Sequence, residues 1–205
     1  MFSSTASNRV AALSIRPRYS ADVPQDQTLY QRSLPQLWLI SDERNDKELE
    51  RALDRLPRGS GFIYRHYHLP DPDRYHRFRA LRRIAKARGH CVILADSAMT
   101  AQSWGADGVY GAPLALWPRR TGLLQLATAH DPREIAMARR KGADAVLLSP
   151  VFPTRSHPGA PVLGPVRFRA LAKLASVPVI ALGGVTLSGA RRLKWPRWAA
   201  IDGLS

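Results

Sequence analysis

A chain of 205 residues, 45% hydrophobic, can bury one substantial core and reads as one domain. No apolar run approaches the roughly 18 residues that cross a bilayer, Val10–Ile15 is too short for an export signal, and the lone Cys91 excludes a disulfide or a cysteine-ligated metal cluster; a reducing cytoplasm is the expected setting. The formal charge of +15, from 31 Lys and Arg against 16 acids, raises nucleic acid as a partner, but it is spread over several segments without a recognition motif and is read as solvated helix faces.

In chain order, residues 1–34 are polar and aperiodic, an expected irregular arm ahead of a barrel over 35–205. Gln36–Ser41 reads as a buried strand, and Asp46–Leu56 carries Leu49, Ala52, Leu53 and Leu56 at helical spacing. Strand two is Phe62–Arg65. Asp71-Pro72 then opens a basic amphipathic helix reaching Arg88, with Phe78, Leu81, Ile84 and Ala85 as its apolar stripe and its arginines expected in water. Strand three is Cys91–Asp96, followed by a short helix over Ser97–Trp104 and a strand over Gly105–Tyr110. Strand five is Leu123–Ala127, and Asp131-Pro132 begins another helix. Ala145–Ser149, a helix near Val166–Ala175, Val177–Leu182, a helix near Ser188–Lys194 and Trp198–Ile201 complete the pattern.

Alternating strands and helices of this kind predict an α/β fold, a (β/α)8 barrel of parallel strands that lacks the last helix. The N-terminal arm or a neighbouring subunit, hence a homodimer, is expected to cover the side where that helix is missing. The two final strands run into Gly183-Gly184-Val185 and Asp202-Gly203-Leu204. Loops at these positions of a barrel commonly form a phosphate cup, because glycine lets backbone amides point inward and approach an anion.

The strand ends resemble, in order over about residues 36–205, the thiamine phosphate synthase/TenI family. Leu37-Trp38-Leu39-Ile40-Ser41-Asp42 is similar to its first strand, and Ile63-Tyr64-Arg65-His66-Tyr67 stands for its Gln-Leu-Arg-x-Lys. Ala95-Asp96 followed by Gly105-Ala106-Asp107-Gly108-Val109, and Thr128-Ala129-His130 with Glu134, match its motifs after strands three to five. Ser149-Pro150-Val151-Phe152-Pro153-Thr154 and Pro178–Val185 match those of strands six and seven.

This resemblance implies a transferase that joins hydroxymethylpyrimidine diphosphate to thiazole phosphate and releases pyrophosphate. Departing negative charge then calls for Mg2+ on carboxylates and for cationic side chains. The resemblance places Arg65 on the diphosphate and Asp96 on Mg2+, with Thr128 and His130 also in the catalytic set. Thr154, Ser156 and His157 would donate to pyrimidine or phosphate, and Gly183, Gly184, Val185, Gly203 and Leu204 would supply amides to the thiazole phosphate. Each has a plainer reading: Arg65 as a bridge across the mouth, Asp96 as a cap beside Ser97, His130 and His157 as loop residues.

Departures from the family pattern point elsewhere. Tyr67 stands in place of a diphosphate-binding lysine and Ile63 in place of a glutamine; His157 replaces a loop lysine, and Gly111–Leu116 holds no carboxylate for a second metal contact. Pro150 stands where TenI proteins place a catalytic histidine. A synthase with a degraded diphosphate–magnesium site and a non-catalytic phospholigand-binding or regulatory protein therefore both remain open, beside the nucleic-acid reading.

Overall fold

Alternation of side chains along each strand builds two cores, one inside the sheet and one outside it. The computed structural model describes residues 34–156, 158–202 and 204, so the arm up to Ser33, His157 and Gly203 lie outside the described residues. Eight strands pair in sequence order into a closed barrel: β1 (Leu37–Ile40), β2 (Gly61–Tyr64), β3 (Cys91–Leu94), β4 (Gly108–Gly111), β5 (Leu124–Ala129), β6 (Ala145–Leu148), β7 (Val179–Ala181) and β8 (Trp198–Ala200). All neighbours are parallel, and β8 closes on β1 with Leu37 opposite Trp198 and Leu39 opposite Ala200.

Trp38, Ile40, Ile63, Ile93, Leu126, Leu147 and Ile180 fill the barrel interior. Their neighbours Leu39, Phe62, Tyr64, Val92, Leu94, Val146 and Leu148 point outward onto the helices. The helices are α1 (Leu49–Arg55), α2 (Asp71–Ala87), α3 (Ala98–Trp104), α4 (Pro132–Arg140), α5 (Gly164–Ala172) and α6 (Leu187–Leu193). Gly61 is a spacing residue: a Cβ there would stand 2.0 Å from Trp38 Cε3, so its absence admits the indole to the interior. The indole N–H donates to the Pro35 carbonyl at 2.8 Å, which satisfies its polar edge.

Local chemistry explains the boundaries. Asp42 caps a 3-10 turn, Glu43–Glu48, through a capping box with Asn45, so the helix expected from Asp46 begins as α1 only at Leu49. Ser97, Asp131 and Thr186 each accept a backbone N–H at the starts of α3, α4 and α6. Strand β5 runs two residues beyond the expected end and so takes in Thr128 and Ala129. Between β4 and β5 there is no helix; Leu116 and Leu123 cover the outer core there, and Arg119 holds the crossover to the Gly142 carbonyl and to Asp144.

One expectation for α2 is corrected. Its arginines do not all face water, since Arg74 lies one turn before Phe78 on the buried stripe and is only 6% exposed. Beyond β8 no helix follows among the described residues, yet the outward-facing Trp198 and Ala200 are buried.

Candidate active site

The C-terminal strand ends surround a cavity of about 470 Å3. Barrels of this kind carry their chemistry at that face, because the loops there vary while the strands hold them rigidly. Of the residues singled out in the sequence, Arg65, Thr128, His130, Thr154, Ser156, Gly183, Gly184 and Val185 line this one space. His157 and Gly203 lie outside the described residues. Leu204 packs its side chain on the outer core, and Asp96 is not among the lining residues.

The end of β7 owes its shape to the loop after β6. Amides of Val151 and Phe152 donate to the carbonyls of Leu182 and Gly183, at 2.9 and 3.0 Å. A Cβ on Gly183, at φ +89°, would stand 2.6 Å from Pro150 Cα, and one on Gly184, at φ +62°, would stand 2.2 Å from the Pro153 carbonyl oxygen. Glycine is therefore required by the neighbouring chain and by the left-handed backbone as much as by any ligand. Among the described residues, no hydrogen bond occupies the amides of Gly183, Gly184 or Val185, and Ile201 and Asp202 of the β8 end border the same space.

Arg65, just past β2, is held from two sides. Its amide donates to Ser41 Oγ at 2.8 Å, and its Nη2 reaches Asp42 Oδ2 at 3.3 Å, while its buried Nε has no partner. Behind it stands a buried relay. Ser41 Oγ meets His66 Nδ1 at 2.8 Å, His66 Nε2 meets Asp46 Oδ1 at 2.6 Å, and Arg77 bonds both Asp46 and Glu50. Burial lowers the His66 pKa and outweighs the pull of Asp46; for Asp46, burial pushes upward but the hydrogen bonds from His66 and Arg77 bring it below the usual carboxylate value. The neutral His66 then accepts from the Ser41 hydroxyl and donates to Asp46. This order resembles a nucleophilic triad, but Ser41 is fully buried and its oxygen is already loaded by the Arg65 amide, so the set braces rather than attacks.

His130 sits on the far wall. Its amide and its Nδ1 both reach Glu134 Oε2, at 2.6 and 2.8 Å, which leaves Nε2 directed away from the carboxylate as an acceptor. The carboxylate of Asp96 is engaged differently: Oδ2 takes Arg74 Nη1 at 2.5 Å and Oδ1 takes the Ser97 amide at 2.6 Å. Burial raises its pKa, but the Arg74 and Ser97 hydrogen bonds more than offset that and leave it low.

Several lining residues escaped the sequence reading. Arg155, exposed at the loop after β6, and Tyr110, buried beside the Arg65 charge, line the cavity. Arg44 ties the rim together: Nε to Asp42 at 2.8 Å, Nη2 to Ser156 Oγ at 2.9 Å and Nη1 to Asp202 at 3.5 Å. Arg155 directly follows the motif that ends at Thr154 and so carried a signal by position; Arg44 and Tyr110 carried none, since their partners are remote in sequence. Chemically, amides without a partner among the described residues, several hydroxyls and two guanidinium groups around one hollow suit a phosphorylated ligand.

Comparison with known proteins gives one consistent result. A family model described as thiamine monophosphate synthase matches residues 37–200. The thiamine-phosphate synthase of Pyrococcus furiosus is 27% identical over 169 residues, 79% of this chain and 81% of that protein. That of Pyrococcus horikoshii is 26% identical over 175 residues, 82% of this chain and 83% of that protein. Among solved structures, thiamine phosphate pyrophosphorylase from Pyrococcus furiosus superposes with a TM-score of 0.70 at 24% identity, over 84% of this chain and 87% of that one, a likeness of fold.

Proposed function

Because the chain belongs to the thiamine monophosphate synthase family, we propose that it serves thiamine biosynthesis, coupling a pyrimidine diphosphate to a thiazole phosphate in the cavity at the barrel mouth. The observation that carries this reading is the gathering of Arg65, Thr128, His130, Thr154, Ser156 and the Gly183–Val185 amides, which have no partner among the described residues, around one space. The amides and the Thr154 and Ser156 hydroxyls grip the thiazole or thiamine phosphate, each donating to an oxygen whose charge a low-dielectric pocket leaves poorly solvated. Arg65 and Arg155 neutralise the diphosphate; a guanidinium pairs two phosphate oxygens at once. His130, oriented by Glu134, offers Nε2 as an acceptor on the opposite wall.

Magnesium is the group that the family resemblance implies, and the donor set fits it poorly. Asp96 is committed to Arg74 and Ser97, and residues 111–116 offer no carboxylate. Among the described residues no helix is long and apolar enough to cross a membrane; the lone half-buried Cys91, its thiol pushed up to about 12 by burial, supports a cytoplasmic setting in which it stays a reduced, inert thiol.

Titration calorimetry with thiamine phosphate tests the site. Saturable binding, weakened about tenfold or more by Arg65→Ala, is the expected result; indifference to thiamine phosphate and to both precursors ends the assignment. A coupled assay for released pyrophosphate separates the two surviving forms of it. Tyr67 and Ile63, in place of a lysine and a glutamine, favour the second form, a phospholigand-binding protein without turnover, and pyrophosphate release from the two precursors rules that form out.

A further inference from the structure

The guanidinium of Arg74 is among the most enclosed charges described. Its side chain is 7% exposed, with Nη1 on Asp96 Oδ2 at 2.5 Å and Nη2 on the Ala95 and Arg65 carbonyls at 2.9 and 3.4 Å. Tyr67 and Trp104 flank it, with ring centroids 5.7 and 5.4 Å from Cζ. It therefore bridges the C-terminal ends of β2 and β3, and it touches the residue after Ala95 whose carboxylate the family resemblance assigns to Mg2+. We propose that Arg74 is a built-in cation that takes the place of the divalent ion at this rim, so that phosphorylated ligands bind this barrel without Mg2+.

Three physical points support this. Mg2+ demands near-octahedral oxygen donors and keeps its waters reluctantly exchanged, so it needs carboxylate lone pairs that face open solvent and phosphate. Here each Asp96 oxygen already accepts a charge-assisted or backbone hydrogen bond. An ion on that carboxylate would also sit within a few ångströms of a fixed positive charge, in a half-buried setting where water screens poorly. Finally, the site around the guanidinium is closely built: a carboxylate and two carbonyls take both terminal nitrogens and two aromatic rings lie near Cζ, while the buried Nε has no partner among the described residues. Arg74 also holds Arg65 by its carbonyl, so the fixed charge and the ligand-facing charge are one structural unit.

The inference rests on the thiamine-pathway reading only for the identity of the ligand. Two measurements decide it. The dissociation constant of thiamine phosphate, taken with Mg2+ and with a chelator, is expected to differ by less than about twofold. Manganese taken up by the protein alone, followed by its electron spin resonance, is expected to be absent in the natural protein, to appear in Arg74→Met and to vanish again in the Arg74→Met/Asp96→Asn double variant. Arg74→Lys, which keeps the charge, should remain as indifferent to manganese as the natural protein. Metal-dependent tightening of about tenfold or more in the natural protein, or manganese taken up by it, overturns the proposal. Both of these need no variant to fold. If thiamine phosphate and both precursors fail to bind with and without Mg2+, the functional reading falls and the manganese titration still decides this one.

Discussion

At the scale of single residues, Ser41 does more than its burial suggests. Its oxygen takes the Arg65 amide and its hydrogen goes to His66, so one atom joins a ligand-facing arginine to the Asp46–Arg77–Glu50 cluster. Ser41→Ala leaves a buried N–H and a buried ring nitrogen without partners. A loss of about 1–3 kcal/mol in urea unfolding is expected, with ligand affinity falling as Arg65 loosens. Unchanged stability and affinity together would show that Asp42 and Arg74 hold Arg65 without the Ser41 hydroxyl. None of this was legible in the sequence, where His66 stands at the unspecified position of a matched stretch. Arg74 did leave a trace, since it precedes Phe78 by four residues on the apolar stripe, although its charge by itself predicts a place in water.

Among elements, the strands were the most legible part, because all but β2, which gives way to Arg65, are apolar runs that meet glycine, serine or aspartate at their end or within two residues of it. Their ends were less so. Strand β5 continues through Thr128 because pairing with β6 carries on to Ala129 opposite Leu148, a partner remote in sequence. The 3-10 turn after β1 was hidden because its capping box depends on Asn45, not on the usual glutamate. The site divides in the same way. Glycine and proline motifs announced the β6 and β7 loops, whereas the Arg44–Ser156 link spans 112 residues and exists only once the barrel closes. At this scale Gly61 gives the sharpest mutational expectation. Gly61→Ala drives a methyl into the fully buried Trp38 ring, which has no free volume to enter, and should cost about 1–3 kcal/mol of stability. Thermal melts of Gly61→Ala decide this, and an unaltered midpoint would mean that β1 and β2 can shear apart at no expense.

Across the whole molecule, acid is the expected weak point. His66 and His90 are each about 1% exposed, and burial lowers the pKa of both. His90 donates Nε2–H to the Leu53 carbonyl at 2.9 Å and keeps its buried Nδ1 unpaired, so it has no room for a second proton. Above pH of about 6.5 both histidines are neutral whether the chain is folded or not, and the folded state keeps its full stability. Below that value the unfolded chain takes up protons that the folded chain resists, and stability falls by up to about 1.4 kcal/mol per pH unit for each histidine until the lowered folded pKa is reached. Asp42, Asp46 and Asp96, all held below their ordinary values by arginine partners despite burial, add a second loss below about pH 4. Unfolding midpoints followed from about pH 7.5 to about pH 5 should drop well before carboxylates titrate; a level profile over that span sinks the idea.

Arg44 fastens the turn after the first strand both to the segment bearing Thr154 and Ser156 and to Asp202, beyond the last strand. Those contacts straddle the seam where β8 meets β1, so a single side chain acts as a latch over the joint that closes the cylinder. Because the latch is made of partly exposed charges, dissolved ions weaken it while the apolar staves beneath stay locked. Ionic strength thus reaches the gatepost of the pocket without reaching its foundations.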